Sequence, residues 1–149
     1  MRLENKTPQS KADFLFTVEG IPGYWATMTG ITKTYSRGKY TDSLAAVKRP
    51  LSSSTEEYGD ITITRPYDNA NAEDIAAFDW GMAQKCGTPF AATITPIRRC
   101  KDIESIGNAF YFSGCIVTEC KLFDGMDVAS GEDANMLSIT FSYDGVQRA

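Results

Sequence analysis

The sequence predicts a mainly β domain, a small sheet with one helix and one long polar loop. Three observations carry this. Phe14, Phe16 and Val18 alternate with Leu15, Thr17 and Glu19, and the same period of two returns at Ile61, Ile63 and again at Leu137, Ile139, Phe141 and Tyr143. That period marks strands with one face buried. Helical spacing of apolar residues stands out at one place, Ile75, Phe78 and Met82. Residues 30–59, about thirty positions with weak periodicity, are long for a loop in a compact domain, and such loops are functional or disordered.

The elements follow in chain order. Residues 1–12 are polar, carry Pro8 and read as a flexible arm unless a partner orders them; residues 13–149 read as a single domain. The first strand ends in Gly20-Ile21-Pro22-Gly23, which is turn chemistry, and Tyr24 to Met28 is expected to return as its hairpin partner. The 30–59 stretch holds Tyr35, Tyr40, Leu44, Val47 and Tyr58 among polar residues, so it reads as a loop or extended hairpin ordered against a neighbour. Ile61 to Arg65 forms a half-buried strand that Pro66 ends. Asn71 can cap a helix over about 72–86, Asp74 suits its first turn, and Gly87 suits its C-terminus. Ile75, Phe78 and Met82 are expected to face the core, with Trp80 at least partly buried. Three further strands are expected: 91–95, then 109–123 bent near Gly114, then 137–143. Charged loops, 96–108 and 124–134, separate them.

Composition bounds function. The chain has 149 residues, 42% hydrophobic and 23% charged, as in ordinary globular proteins. A net charge of -4 argues against a general grip on nucleic acid, which needs a basic face. It is compatible with a surface that DNA slides past, where acidic groups would help by repulsion. No apolar run reaches the ~20 residues that span a bilayer, and the polar start 1–6 does not read as a secretory signal. The expectation is a protein made in a cytoplasm, with Cys86, Cys100, Cys115 and Cys120 reduced.

Catalytic chemistry has little to build on. There is no histidine, so no Ser-His or Cys-His pair can form within the chain. The cysteines make no Cys-x-x-Cys knuckle, and the spacing of Cys115 and Cys120 puts them on opposite faces of a continuous strand. The acidic stretch with Asp124, Asp127, Glu132 and Asp133 lacks the ligand spacing of an EF-hand. No catalytic, cofactor or metal site is expected. Lys48-Arg49 and Arg98-Arg99 read as solvated loop charge or as partners of a neighbouring acidic subunit.

Taken in order, four segments resemble the tail-tube family of tailed phages, especially the subunits of contractile tails. They are the strand and turn 14–20; Trp25-Ala26-Thr27-Met28-Thr29-Gly30; Asp60-Ile61-Thr62-Ile63-Thr64-Arg65 with the helix bearing Trp80; and the closing strand 137–143. Pro66, where the family often has glycine, and the acidic 124–134 stretch depart from the pattern. The resemblance implies a small β-barrel or sandwich of antiparallel strands with a flanking helix. It implies hexameric rings stacked into a hollow tube in the virion, assembled in the host cytoplasm, through which DNA passes unbound. Implied partners are other copies of the chain and sheath, tape-measure, baseplate and tail-terminator proteins, with no cofactor. On this reading Tyr35, Arg37, Lys39, Tyr40, Asp42, Leu44, Val47, Lys48 and Arg49 contact neighbouring subunits. Glu119, Asp124, Asp127, Glu132 and Asp133 are candidates for the lumen. The same fold builds the inner tubes of phage-derived injection machines and type VI secretion systems. Two other classes stay open. One is a monomeric binding module using Tyr24, Trp25, Tyr111 and Phe112 as an aromatic face. The other is a small enzyme using carboxylates or a cysteine of perturbed pKa.

Overall fold

The alternating segments become the middle of a sheet. The computed structural model describes residues 10–42, 47–84, 88–99, 102–123, 128–129, 131 and 134–148, with the backbone alone at 37–38, 40–42 and 47–54. Its elements are β1 (Phe14–Val18), β2 (Thr27–Met28), β3 (Lys33–Asp42), β4 (Val47–Tyr58), β5 (Ile61–Pro66), α1 (Ala72–Ala83), β6 (Phe90–Arg99), β7 (Ile103–Ser105), β8 (Phe110–Leu122), β9 (Met136–Ser142) and β10 (Gly145–Arg148). One antiparallel sheet runs β1-β6-β8-β9-β5-β2, with β7 added to β6 and β10 to β8. It curls until its ends approach at a bridge between Phe16 and Trp25. β3 and β4 form a separate two-stranded ribbon. The 30–59 stretch is therefore the extended hairpin of the two forms expected for it.

The core is built on the predicted period. Ile61 and Ile63 of β5 and Leu137, Ile139 and Phe141 of β9 are all essentially inaccessible, and their neighbours in sequence point away. Phe16, Phe112 and Phe141 meet at centroid distances of 6.2–6.4 Å, with Phe90 and Trp80 continuing the aromatic cluster. The tilted and edge-on ring geometries are the favourable ones for aromatic pairs.

Several expectations need correction. Tyr24 to Met28 does not return along β1. Past Trp25 the chain crosses to β5, where Thr27 and Met28 pair with Thr64 and Ile63. Gly20 and Gly23 take left-handed φ values of 88° and 87°, and the Arg65 guanidinium donates to the Pro22 carbonyl at 3.1 Å, holding the turn over β5. β6 does not stop at residue 95 but runs to Arg99 and turns back into β7, so the 96–108 loop is mostly strand. Pro96 is tolerated because it stands opposite Phe14, the first residue of β1, where a missing N–H falls at the ladder's end. After the helix there are five strands among the described residues, not three; the unexpected ones are the short edge strands β7 and β10.

β8 bends as expected at Gly114, whose φ is 64° and where a Cβ would collide with the Asp144 carboxylate. A second irregularity lies between Val117 and Glu119, which face Phe141 and Thr140. This bulge shifts the side-chain parity by one. Cys115 and Cys120 therefore share the core face rather than opposing each other: Cys115 is buried and Cys120 packs against the core from its edge.

The helix ends at Ala83 instead of near 86; Gly87 lies outside the described residues. Asn71 caps it as expected, its side chain accepting from the Glu73 N–H at 2.8 Å. The core-facing stripe is not Ile75, Phe78 and Met82. Asp74, Ala77 and Gly81 are buried, Phe78 is half-buried, and Ile75 and Met82 are exposed. The reason is close approach. A Cβ at Gly81 would lie 2.7 Å from Cys120 Sγ and 3.2 Å from Ile139 Cδ1, so only a small-residue face fits this seat. An ion pair completes it: Arg65 Nη2 meets Asp74 Oδ1 at 2.8 Å with both side chains about nine-tenths buried. Asp74 Oδ2 accepts the Asp68 N–H at 3.0 Å.

Two outcomes follow. Gly81→Ala should cost about 1–3 kcal/mol through overpacking. In a Cys120→Ala background the cost should shrink, because the sulfur is gone and alanine is the better helix former, leaving the Ile139 contact alone to oppose it. Urea unfolding of the four proteins measures this, and a penalty independent of Cys120 contradicts the seat. By the same method Arg65→Met should cost about 3–5 kcal/mol by stranding Asp74, and adding Asp74→Leu should recover part of it. An unchanged midpoint for Arg65→Met would show that the pair does not hold the helix.

Candidate assembly surfaces

The β3–β4 ribbon leaves the body at a defined root. Gly59 N–H donates to the Thr32 carbonyl at 3.0 Å, and the Tyr143 hydroxyl donates to the same oxygen at 3.2 Å. Tyr58 packs on Tyr143 with centroids 5.0 Å apart, and Tyr143 in turn meets Phe112 at 5.2 Å. The root is thus tied to the central core. Lys33 sits over the rings of Tyr35 and Tyr58 and pairs with Glu56 at 3.0 Å. The hydrogen bond to Glu56 is the main cause that raises the lysine's pKa. Among the described residues, the ribbon's strands pair beyond this root only with each other. Ten residues of β3, at about 3.3 Å each, carry the ribbon roughly 30 Å. Its register slips where Arg37 faces Ser54 and Lys39 faces Pro50: β4 advances four residues while β3 advances two. Such a bulge twists the ribbon, and Pro50 is allowed because each strand has a free edge.

The residues expected at the subunit interface fall on this ribbon. Tyr35 is 62% exposed and Lys39 is exposed. Arg37, Tyr40, Asp42, Val47, Lys48 and Arg49 occupy strand positions, with Tyr40 opposite Arg49 and Asp42 opposite Val47. Leu44 lies outside the described residues, as do Asp124, Asp127, Glu132 and Asp133. Glu119 is exposed on β8, opposite Thr140. Arg98 and Arg99 are exposed on β6, where Arg98 faces Glu104 and Arg99 lies 4.0 Å from Asp13.

One surface escaped sequence reasoning. Because α1 seats its small residues, its larger apolar ones are left outside. Met82 and Phe78 join Tyr67, Leu122 and Phe123 along an open groove of ≈ 530 Å³. Met82 is 62% exposed and Phe123 42%. Ala77 and Gly81, four apart, were the available signal: a small-residue stripe marks the close face and turns the apolar stripe outward.

Among the described residues the alternative readings find no assembled site. Trp25 and Phe112 are core residues, while Tyr24 and Tyr111 are exposed, so the four do not make one aromatic face. Burial, with Asp144 nearby, pushes the Cys115 thiol up to about 11, and burial raises Cys120 as well. A nucleophilic thiol needs the opposite shift. Among the described residues no cluster of three or more histidine, cysteine or acidic side chains could hold a metal.

No protein-family model and no curated protein matches the chain in sequence. Solved structures do match in shape. A chain of the sheath–tube complex of PVC, an extracellular contractile injection system in its extended state, superposes with a TM-score of 0.69 at 19% identity, covering 99% of this chain and 95% of that one. A chain of the anti-feeding prophage baseplate gives 0.70 at 15% identity, covering 97% of each. The SPP1 tail tube gives 0.57 at 13% identity, covering 95% of this chain and 78% of that one. The molecule therefore has the fold of the tail-tube and inner-tube proteins of phages and contractile injection systems.

Proposed function

We propose that this chain is a structural subunit of such a tube, closing head to tail into hexameric rings that stack into a hollow conduit. The freestanding ribbon is the observation that carries the reading. An isolated two-stranded hairpin is marginally stable in water, and both its edges have unpaired backbone groups. Laid on an adjacent copy, it gains the sheet partners that the described part of its own chain does not provide. A contact of one patch with a different patch generates rings or stacks. The apolar margin formed by Met82, Phe78 and Phe123 is a second surface for a neighbouring copy to cover.

The fuller superposition on chains of contractile injection systems than on the SPP1 tail tube favours a contractile machine. In that setting a sheath wraps the tube, a baseplate starts it and a terminator ends it. A tape-measure protein fills it in a phage, where the conduit carries DNA. Assembly takes place in the host cytoplasm, and the finished tube belongs to the particle. The inner tube of a phage-derived injection machine is the second reading, favoured by the same superpositions.

Deleting residues 36–50 tests the role of the ribbon. The body keeps its whole core, so the deletion variant should remain a folded monomer with an unchanged unfolding transition. It should form no tubes under conditions where the full chain assembles. Normal tubes from the deletion variant, seen by electron microscopy, would refute the role given to the ribbon.

A further inference from the structure

We infer that the open groove beside α1 is a socket for the far half of the ribbon of another copy of this chain. The inference rests on the tube reading and names the occupant of the groove. The strand ladder fixes where the two surfaces lie. The ribbon ends at Tyr58, next to the start of β5 at Ile61. At the other end of β5, Arg65 pairs with Leu137, and Leu137 with Leu122. The groove opens at this second end: Tyr67 follows β5, Leu122 and Phe123 close β8, and Phe78 and Met82 come from α1. Ribbon and groove thus lie at opposite ends of the strands. Joining them between copies stacks subunits head to tail, whereas a two-fold pairing would set like against like.

The groove is held open by its own wall. Phe123 takes a left-handed φ of 58°, a strained backbone for a bulky side chain. Its ring stands edge-on to Tyr67 at 5.9 Å, and Tyr67 stands edge-on to Phe78 at 6.3 Å. The strained residue therefore belongs to a fixed aromatic row, yet it leaves much of its own ring in water, beside the exposed Met82. Backbone strain of this kind collects at binding sites, where the surrounding structure keeps it. Exposed apolar residues gathered in one concave place mark a surface that a partner covers.

Ribbon and groove match in chemistry. Tyr40 stands opposite Arg49 and Asp42 opposite Val47, so the register places these four on one face of the ribbon's far half. Tyr40 and Val47 are the apolar residues that an aromatic and aliphatic groove would take. The charges agree as well. Residues 37–50 carry Arg37, Lys39, Lys48 and Arg49 against Asp42 alone. Residues 66–84, which supply one side of the groove, carry Asp68, Glu73, Asp74 and Asp79 and no lysine or arginine. Arg65 takes Asp74, while Asp68, Glu73 and Asp79 are exposed. Lys121 is the one base in the lining, and Asp42 on the ribbon is its opposite. Attraction between a basic arm and an acidic far end steers copies into one orientation and rejects the reverse. Apolar burial in the groove then holds the contact.

Crosslinking between one site on each surface tests the assignment. In a parent carrying Cys86→Ser, Cys100→Ser and Cys120→Ala, Val47→Cys and Met82→Cys are introduced singly and together, and assembled tubes are treated with a short bismaleimide. On denaturing gels the doubly substituted protein should give a ladder of covalent multimers, and each single substitution should stay monomeric. Free subunits diluted below assembly should acquire no internal crosslink by mass spectrometry. As a second variant, Met82→Glu places a carboxylate in the groove. Because Met82 is exposed, this variant should unfold at the urea midpoint of the natural chain, yet form no tubes. Tubes of the doubly substituted protein without a ladder, a ladder from Val47→Cys alone, an internal crosslink in free subunits, or normal tubes from Met82→Glu would each overturn the inference and leave the tube reading intact. A natural chain that forms no tubes would instead overturn the tube reading, and the inference with it.

Discussion

The buried pairing of Arg65 with Asp74 organises this fold. Arg65 lies at the end of a central strand and reaches three things at once: the Asp74 carboxylate in the first turn of α1, the Pro22 carbonyl, and the face of Trp25, 5.5 Å from the ring. It thereby joins the helix, the β1–β2 turn and β5 at one point. The carboxylate is further held by the Asp68 N–H and by the helix N-terminus, so both charges are satisfied inside. Isolated buried charges are costly. A site that must place helix, turn and strand together has a use for directional contacts that apolar packing alone does not supply. Gly23 belongs to the same site: a Cβ there would press on Arg65 and Glu73 at 3.2 and 3.0 Å.

From that point the division of the molecule follows. The clamp seats α1 by its small face, which turns Met82 and Ile75 outward. It also draws the turn across to β5, which starts the curl of the sheet. The body then has a complete aromatic core, and the ribbon is left outside it, tied only at Tyr58, Thr32 and Tyr143. A body with its own core bearing an arm tied to it only at the root is the form that the proposed assembly subunit requires, with the arm completed by another copy.

How much of this was legible in sequence depended on whether a residue's neighbours were local. Leu137 to Tyr143 and Ile61 to Arg65 announce their buried faces by alternation, and the structure keeps both. The tail-tube fold was legible from the order of weak segments, each uninformative alone. The helix face was misread because apolar spacing gives a periodic pattern but not its direction; Ala77 and Gly81 decided the direction through contacts with Cys120 and Ile139, distant in sequence. The Cys115–Cys120 relation was misread for a similar reason, since a bulge beside Val117 reverses parity without a marking residue. Arg65 was unremarkable as one arginine after a threonine until Asp74, Pro22 and Trp25 were brought around it. β7 and β10 were missed because short edge strands follow from an available sheet edge more than from their own sequence.

The central claim is that this chain assembles through surfaces its own fold leaves unpaired. Electron microscopy of the purified full chain over a concentration series, with light scattering on the same samples, tests it most directly. The account predicts rings or hollow tubes of uniform width, growing with concentration. A monodisperse monomer at every concentration, with the ribbon as resistant to protease as the body, would contradict it, since that protein would already contain all the partners its ribbon needs.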